Sequence, residues 1–461
     1  MAGSIDINQP LEGYYPSHWP CECAGPRRQK LTTAPGLNLQ PGERLVTTQR
    51  DMSEYRWPTM FVCREPGEIY LQGGTQAFMA PRSFGWVERI DPITLKTLAR
   101  SPDLPSGGHN WCGAATVHAN GDLYVVNGRY AHRLDPDLNV VAETKLRNDN
   151  AHNGHVIMPD GNLVTKDMQI DSQKRSLFTV LDPDLHEIST FEAPFASVGR
   201  FSCDPQNGFA YLYTTSSTRI ARLIYKDGRI TLDPSWSACY DIPDQDQSFA
   251  WDSTVALGSV WFMDMGENDG VARVLNAHPI GTLNSLLGKG MRFLDRVGVA
   301  PEPSAHPLGR PTHSAPQRVF RVSVDDAADM SVLVPFNLPS ANIIAPPLVD
   351  PTRRILVAFD GANAKVGAWR YSENGELTAA WKKDFVNSSQ MTVFADTGEL
   401  LVDDVHDGRW DAVVLDIETG AEKGRADTRC VASSGMWYTP GFNRDVYVST
   451  IRGGIARVAV E

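Results

Sequence analysis

The chain has 461 residues, 42% of them hydrophobic and 21% charged, a globular composition with ample material for a large buried core. Its net charge of -12, with no block of like charges, argues against a nucleic-acid partner, because phosphate neutralisation needs clustered Lys and Arg. No window approaches the roughly 18 continuous apolar residues of a membrane span, so no membrane partner is expected.

The first residues, Met1 to Asp6, carry neither a basic region nor an apolar core and do not read as a secretory signal. Seven cysteines are scattered along the chain, and only Cys21 and Cys23 lie close together, without the two-pair spacing of a zinc site. These features point to a cytoplasmic protein with reduced thiols. The oligomeric state leaves no mark in the sequence.

Residues 1–56 have few periodic runs and many Pro and Gly, and read as an arm wrapping the surface. Within that arm Arg44 to Gln49 has strand composition. From residue 57 a unit repeats to the end of the chain: an apolar run, a tight polar turn, and a second run rich in β-branched and aromatic residues. Its turns include Glu65-Pro66-Gly67-Glu68, Ala119-Asn120-Gly121-Asp122, Pro159-Asp160-Gly161-Asn162 and Ala395-Asp396-Thr397-Gly398, and eight copies can be counted. About 20 residues beyond several turns comes a second motif, as in Ile90-Asp91-Pro92, Leu134-Asp135-Pro136, Leu181-Asp182-Pro183 and Leu415-Asp416-Ile417. Each unit therefore reads as four short antiparallel strands.

Such units at a period of about 40–50 residues predict an all-β chain, a single β-propeller over residues 57–461. Eight blades is the first count and seven the alternative. The last unit has room for only three strands, so the 44–49 segment is expected to supply the fourth and close the ring. One unit is interrupted by an insertion, residues 267–316. Its apolar positions Leu283, Leu286, Leu287, Met291, Leu294 and Val297 predict a short amphipathic helix in a lid over one face.

Strands of a blade alternate in direction, so the loops leading into the inner strands share a face with the loops joining second and third strands. His, Asp, Asn and Arg residues concentrate there. Paired imidazoles at His152 and His155 suit proton transfer or metal binding. His109 lies in a similar position one blade earlier. His406 stands among aspartates, an arrangement suited to acid–base work. Asp252 would support this catalytic set. Arg200 would hold an anionic group, with Trp111 and Asn342 completing a substrate-binding set. A divalent cation, if bound, would draw on His155, Asp264 and Asp404.

The repeated Asp-Gly turns and Leu-Asp-Pro motifs resemble those of the gluconolactonase/senescence-marker, NHL-repeat and quinoprotein-like propellers. Lactonases of that group hold one divalent cation with a Glu, an Asn and an Asp. The resemblance implies comparable positions among Asn153, Asp252, Asn342 and Asp404, with no glutamate among them. The run from His152 through His155 to Pro159-Asp160-Gly161-Asn162 also resembles bacterial arylsulfotransferases, whose propellers use axial histidines. The expected function is an enzyme acting on a small organic molecule in the central funnel, by hydrolase or lyase chemistry. The alternatives are a non-catalytic interaction scaffold and an arylsulfotransferase-like transferase.

Overall fold

The computed structural model describes residues 11–52, 57–74, 83–109, 111–169, 173–241, 250–264, 315–339, 345–361, 363–387, 389–406, 409–430, 435–450 and 454–461. The repeats become sheets because each apolar run is two-sided. The inner and second strands of most units are buried along their whole length, so neither face of a blade can meet water.

Eight such sheets make up the chain. Blade 1 contains Trp57–Cys63, Ile69–Gly74, Phe84–Ile90 and Thr97–Arg100; blade 2 contains Cys112–Val117, Leu123–Asn127, Tyr130–Leu134 and Val140–Lys145. In blade 3 the strands are His152–Ile157, Leu163–Asp167, Leu177–Leu181 and Glu187–Glu192; in blade 4, Ser202–Gln206, Phe209–Thr215, Arg219–Lys226 and Arg229–Cys239. Blade 5 holds Ala250–Ala256, Ser259–Asp264, Val319–Ser323 and Met330–Leu333, and blade 6 holds Leu348–Asp350, Ile355–Asp360, Lys365–Tyr371 and Leu377–Lys383. Thr392–Phe394, Glu399–His406, Arg409–Asp416 and Glu422–Asp427 form blade 7; Gly435–Pro440, Asp445–Thr450, Gly454–Val460 and Leu45–Asp51 form blade 8.

The count is eight, not seven, and the N-terminal strand closes the ring. Leu45 to Asp51 pairs antiparallel with Val460 to Gly454 along its full length. The predicted lid, 267–316, falls almost wholly outside the described residues. Among the described residues no helix is long and apolar enough to cross a membrane. All seven cysteines are free thiols.

The Leu-Asp-Pro motif marks the corner between third and outer strands. Asp91 accepts the amides of Ile93 and Thr94, and Asp182 those of Asp184 and His186. A leucine then turns left-handed and plugs the corner: Leu95, Leu138 and Leu185 have φ of 60°, 69° and 65° and are buried. In blade 7 Gly420, at φ 70°, occupies the same corner.

One expectation fails. The segment ahead of the closing strand does not wrap the surface but runs through the central channel along the inner strands. Trp19 O accepts the amide of Cys63 (blade 1), and Pro20 O that of Val117 (blade 2). The Tyr14 hydroxyl accepts the amide of Ile157 (blade 3). Pro26 O and Arg27 O accept from Cys203 and Val255 (blades 4 and 5). Lys30 Nζ donates to Pro346 O ahead of blade 6, and Leu31–Thr32 pairs parallel with the inner strand of blade 7. His18 bonds Pro440 O in blade 8. The reason is physical: a ring of eight blades leaves an axial hole whose inner strands expose backbone donors and acceptors, and an extended segment satisfies them. Trp19, Tyr14, Cys21, Leu31 and Leu37 are buried in it. We call residues 11–32 the plug.

Candidate functional site

The plug brings charge to the channel centre. Glu22 sits between two guanidinium groups, Arg28 Nη2 at 2.5 Å and Arg200 Nε at 2.7 Å. Arg28 also reaches Asp252 Oδ2 at 2.8 Å, and Asp252 Oδ1 accepts the backbone N–H of Arg200 at 2.6 Å. The four residues close a ring of alternating charge, each buried. Arg200, from the loop leading into blade 4, crosses the channel and lies over the rings of Trp111 and Trp437, 5.7 and 5.2 Å from their centroids. Its expected task, holding an anionic substrate group, is filled here by the chain's own Glu22. Asp252, expected to support catalysis, anchors the plug.

Close approach of Arg200 to blade 5 depends on Gly199. A Cβ there would collide with the carbonyl group of Trp251. Gly199→Ala should therefore cost about 1–3 kcal/mol, as overpacking does, read as a lower urea midpoint; an unchanged midpoint would mean the loop repacks freely.

The histidines divide into buried and rim groups. His152 and His155 lead the inner strand of blade 3, with an irregularity between them that turns the strand. Both are buried, and burial holds their rings neutral, His152 down to about 4 and His155 to about 3. His152 Nδ1 lies 3.2 Å from Asn150 O, while neither ring nitrogen of His155 has a partner. The structure thus places the paired imidazoles beneath the funnel surface.

At the rim, His109 Nε2 lies 3.2 Å from Asp149, which Arg129 also holds at 2.7 Å. Across the ring, His406 ends the second strand of blade 7. Its Nδ1 is 3.5 Å from Asp404 Oδ2 and its Nε2 is 3.8 Å from Asp411 Oδ2. Both carboxylates are buried, whereas the His406 side chain is 37% exposed. Arg425 Nη1 reaches the same two oxygens at 3.3 and 3.2 Å, and Arg409 Nη2 takes the other Asp411 oxygen at 3.1 Å.

The aspartates ending other second strands serve the scaffold. Asp167 accepts the amide of Leu177 and the side-chain amides of Asn148 and Asn150. Asp264 accepts the backbone N–H of Arg318 at 2.8 Å and its Nε at 2.7 Å. Asp360 accepts the Asn363 amide at 3.2 Å, and within the His406 strand itself Asp403 accepts the Ser389 amide at 3.0 Å. This recurrence pins the loops on the funnel face. Trp111 donates its indole N–H to Asn153 Oδ1 at 2.9 Å, and Asn153 donates to Val198 O, so both are committed to packing between blades. Asn342 lies outside the described residues.

The cation set proposed from sequence does not converge. His155, Asp264 and Asp404 stand on blades 3, 5 and 7, with Asp264 committed to Arg318 and Asp404 to Arg425. Among the described residues no three His, Cys, Asp or Glu side chains group as a metal site would require. Sequence reading missed Glu22, Arg28, Asp411 and Arg425. Lys166, which strand order puts on the funnel face, is fully buried against Ser197 O at 2.9 Å, and burial pushes its ammonium down to about 7.

No family model matches the sequence, and no curated protein matches it. Solved structures do match in shape. The quinohemoprotein alcohol dehydrogenase of Comamonas testosteroni aligns over 97% of this chain and 81% of its own, with TM-score 0.58 and 11% identity. A catalytically inactive virginiamycin B lyase of Staphylococcus aureus, bound to quinupristin, aligns over 90% of this chain and 99% of its own, with TM-score 0.46 and 11% identity. The apo AztD structure from Citrobacter koseri covers 84% of this chain and 87% of its own, at TM-score 0.42 and 12% identity. What the dehydrogenase shares at this identity is the β-propeller fold alone.

Proposed function

We propose that this chain is an enzyme moving protons on a small organic molecule at the funnel face, by hydrolase or lyase chemistry, with His406 as the acid–base group. The observation behind this reading is the setting of His406: a partly exposed imidazole flanked by two buried carboxylates, themselves held by Arg425. Carboxylates beside an imidazole can hold it in the orientation that acid–base work requires. His109 with Asp149 is a second, weaker acid–base pair. The burial of His152 and His155 gives no support to an axial-histidine transferase. No step is routed through a cation, because the donors do not gather.

The test is a turnover panel of lactones, carboxylic esters, sulfate esters and β-substituted carboxylates, with the wild-type chain, His406→Gln and His109→Gln. A substrate turned over by the wild type and slowed about 10²–10⁴-fold by His406→Gln alone supports the reading. Equal loss only in His109→Gln would move the chemistry to blades 2 and 3.

One observation favours the scaffold reading in second place. The channel is plugged, and the outer strands and their corners expose Ile93, Leu98, Val141, Ile188 and Val332 at 45–60%. Failure of every substrate on the panel, with no small-molecule binding by thermal shift, would put the scaffold first.

A further inference from the structure

Five Asn-Gly pairs stand in the chain, beginning at Asn120, Asn127, Asn153, Asn207 and Asn374. Glycine carries no side chain to shield its amide nitrogen, so each pair can close a five-membered ring from that nitrogen to the asparagine side-chain carbon. Whether it does so in the folded protein depends on what holds the two groups. Asn127 and Asn153 are buried, their side chains committed to Gln72 in the one case and to Trp111 and Val198 O in the other. Asn120 is exposed, but its side chain bonds the Tyr124 hydroxyl and the Asp122 amide at 3.0 Å each, and the Gly121 amide donates to His118 O at 2.8 Å. Asn374 is exposed too, with the Gly375 amide donating to Ser372 O at 3.1 Å. Asn207 and Gly208 differ from the other four pairs. They form the exposed turn between the inner and second strands of blade 4. Among the described residues no hydrogen bond holds the Asn207 side chain or the Gly208 amide. A Cβ at Gly208 would meet nothing within 4 Å, so the turn has open space in which to bend.

We propose that Asn207 is a site of spontaneous deamidation, the first of the five to react in the folded protein. The Gly208 nitrogen attacks Asn207 Cγ and forms a new C–N bond. The bond from Cγ to the side-chain nitrogen breaks, and that nitrogen leaves as ammonia, taking up the proton the Gly208 nitrogen gives up. A cyclic imide remains, and water opens it. Addition at Cγ yields aspartate at position 207, and addition at the main-chain carbonyl carbon yields isoaspartate. Either product adds a carboxylate to the hairpin that carries Asp204, whose Oδ1 holds Arg27 Nε of the plug at 2.6 Å. Isoaspartate also inserts a methylene into the main chain between the paired residues Gln206 and Phe209. The site is independent of the funnel chemistry.

The test incubates the wild-type chain folded and, in parallel, unfolded in guanidinium chloride, at one mildly alkaline pH, until every Asn-Gly pair of the unfolded sample has begun to react. Peptide mapping by mass spectrometry then reads the fraction of aspartate plus isoaspartate at each of the five positions. The expected result is comparable conversion at all five in the unfolded sample and conversion several-fold ahead at Asn207 in the folded one. Asn207→Gln should lose nearly all of the native-state conversion, since the longer side chain would have to close a six-membered ring. Native-state conversion led by Asn120 or Asn374, or a folded chain left unmodified at Asn207 while the unfolded sample reacts, would overturn the proposal. The wild-type comparison decides between these outcomes whether or not the variant folds.

Discussion

Acidification from pH 7 to pH 5 is expected to remove about 5 kcal/mol of stability, before most carboxylates protonate. Burial holds His132 and His152 down to about 4 and His155 to about 3, against about 6.5 in an unfolded chain. A histidine whose folded value is depressed stays neutral in the native state while the unfolded chain takes up a proton. Its contribution is complete above pH 6.5 and falls away as pH drops through 6.5 towards about 4 or 3. Each ring then loses about 1.5–2 kcal/mol by pH 5. Three together approach the whole stability of many domains. Urea unfolding at the two pH values measures this, and His155→Gln should shrink the difference by roughly a third. Equal midpoints at pH 7 and pH 5 would show that the rings are hydrated or charged in the native state.

The second large effect is expected at Glu22. Glu22→Ala would leave Arg28 and Arg200 facing each other, both nearly buried, with only Asp252 to offset them. Breaking a buried ion pair from one side costs about 3–5 kcal/mol, mostly because the surviving charge has no partner. Two surviving charges place this case at the upper end. Combining Glu22→Ala with Arg200→Met should recover part of the loss, since the excess charge goes with it. A denaturant midpoint for Glu22→Ala within the error of wild type would mean that water reaches the channel centre and the ring of charges is not dry.

Sequence reading recovered the ring and most of its strands because propeller blades are built from local signals. An Asp-Gly or Asn-Gly turn reports its own hairpin, and Asp91 or Asp182 binds amides within four residues. The closing strand was legible for a similar reason, as one strand was missing from the last unit. The plug left no comparable trace. Its contacts join residues such as Arg28 and Asp252, which are 224 positions apart, through a stretch rich in Pro and Gly. Periodicity is silent about such a segment because its partners are backbone edges around an axis. The same limit applied to the histidines. Their position on the funnel face followed from strand order, but whether His155 is sealed and His406 open depends on the neighbouring blades and the plug.

The closing strand has a consequence for how the protein is made. Leu45–Asp51 leaves the ribosome well before its partner, Gly454–Val460, which is synthesised some 400 residues later. At about 5–20 residues per second, that is a wait of roughly 20–80 s during which blade 8 cannot form. The axial segment waits as well, since its contact with blade 8, His18 to Pro440 O, cannot form until that blade is made. Earlier blades can assemble in turn on the emerging chain, but the circle is sealed only once Gly454–Val460 has been made. The nascent protein therefore passes through a long-lived open arc with unpaired edges at both ends, the state in which it most needs a chaperone.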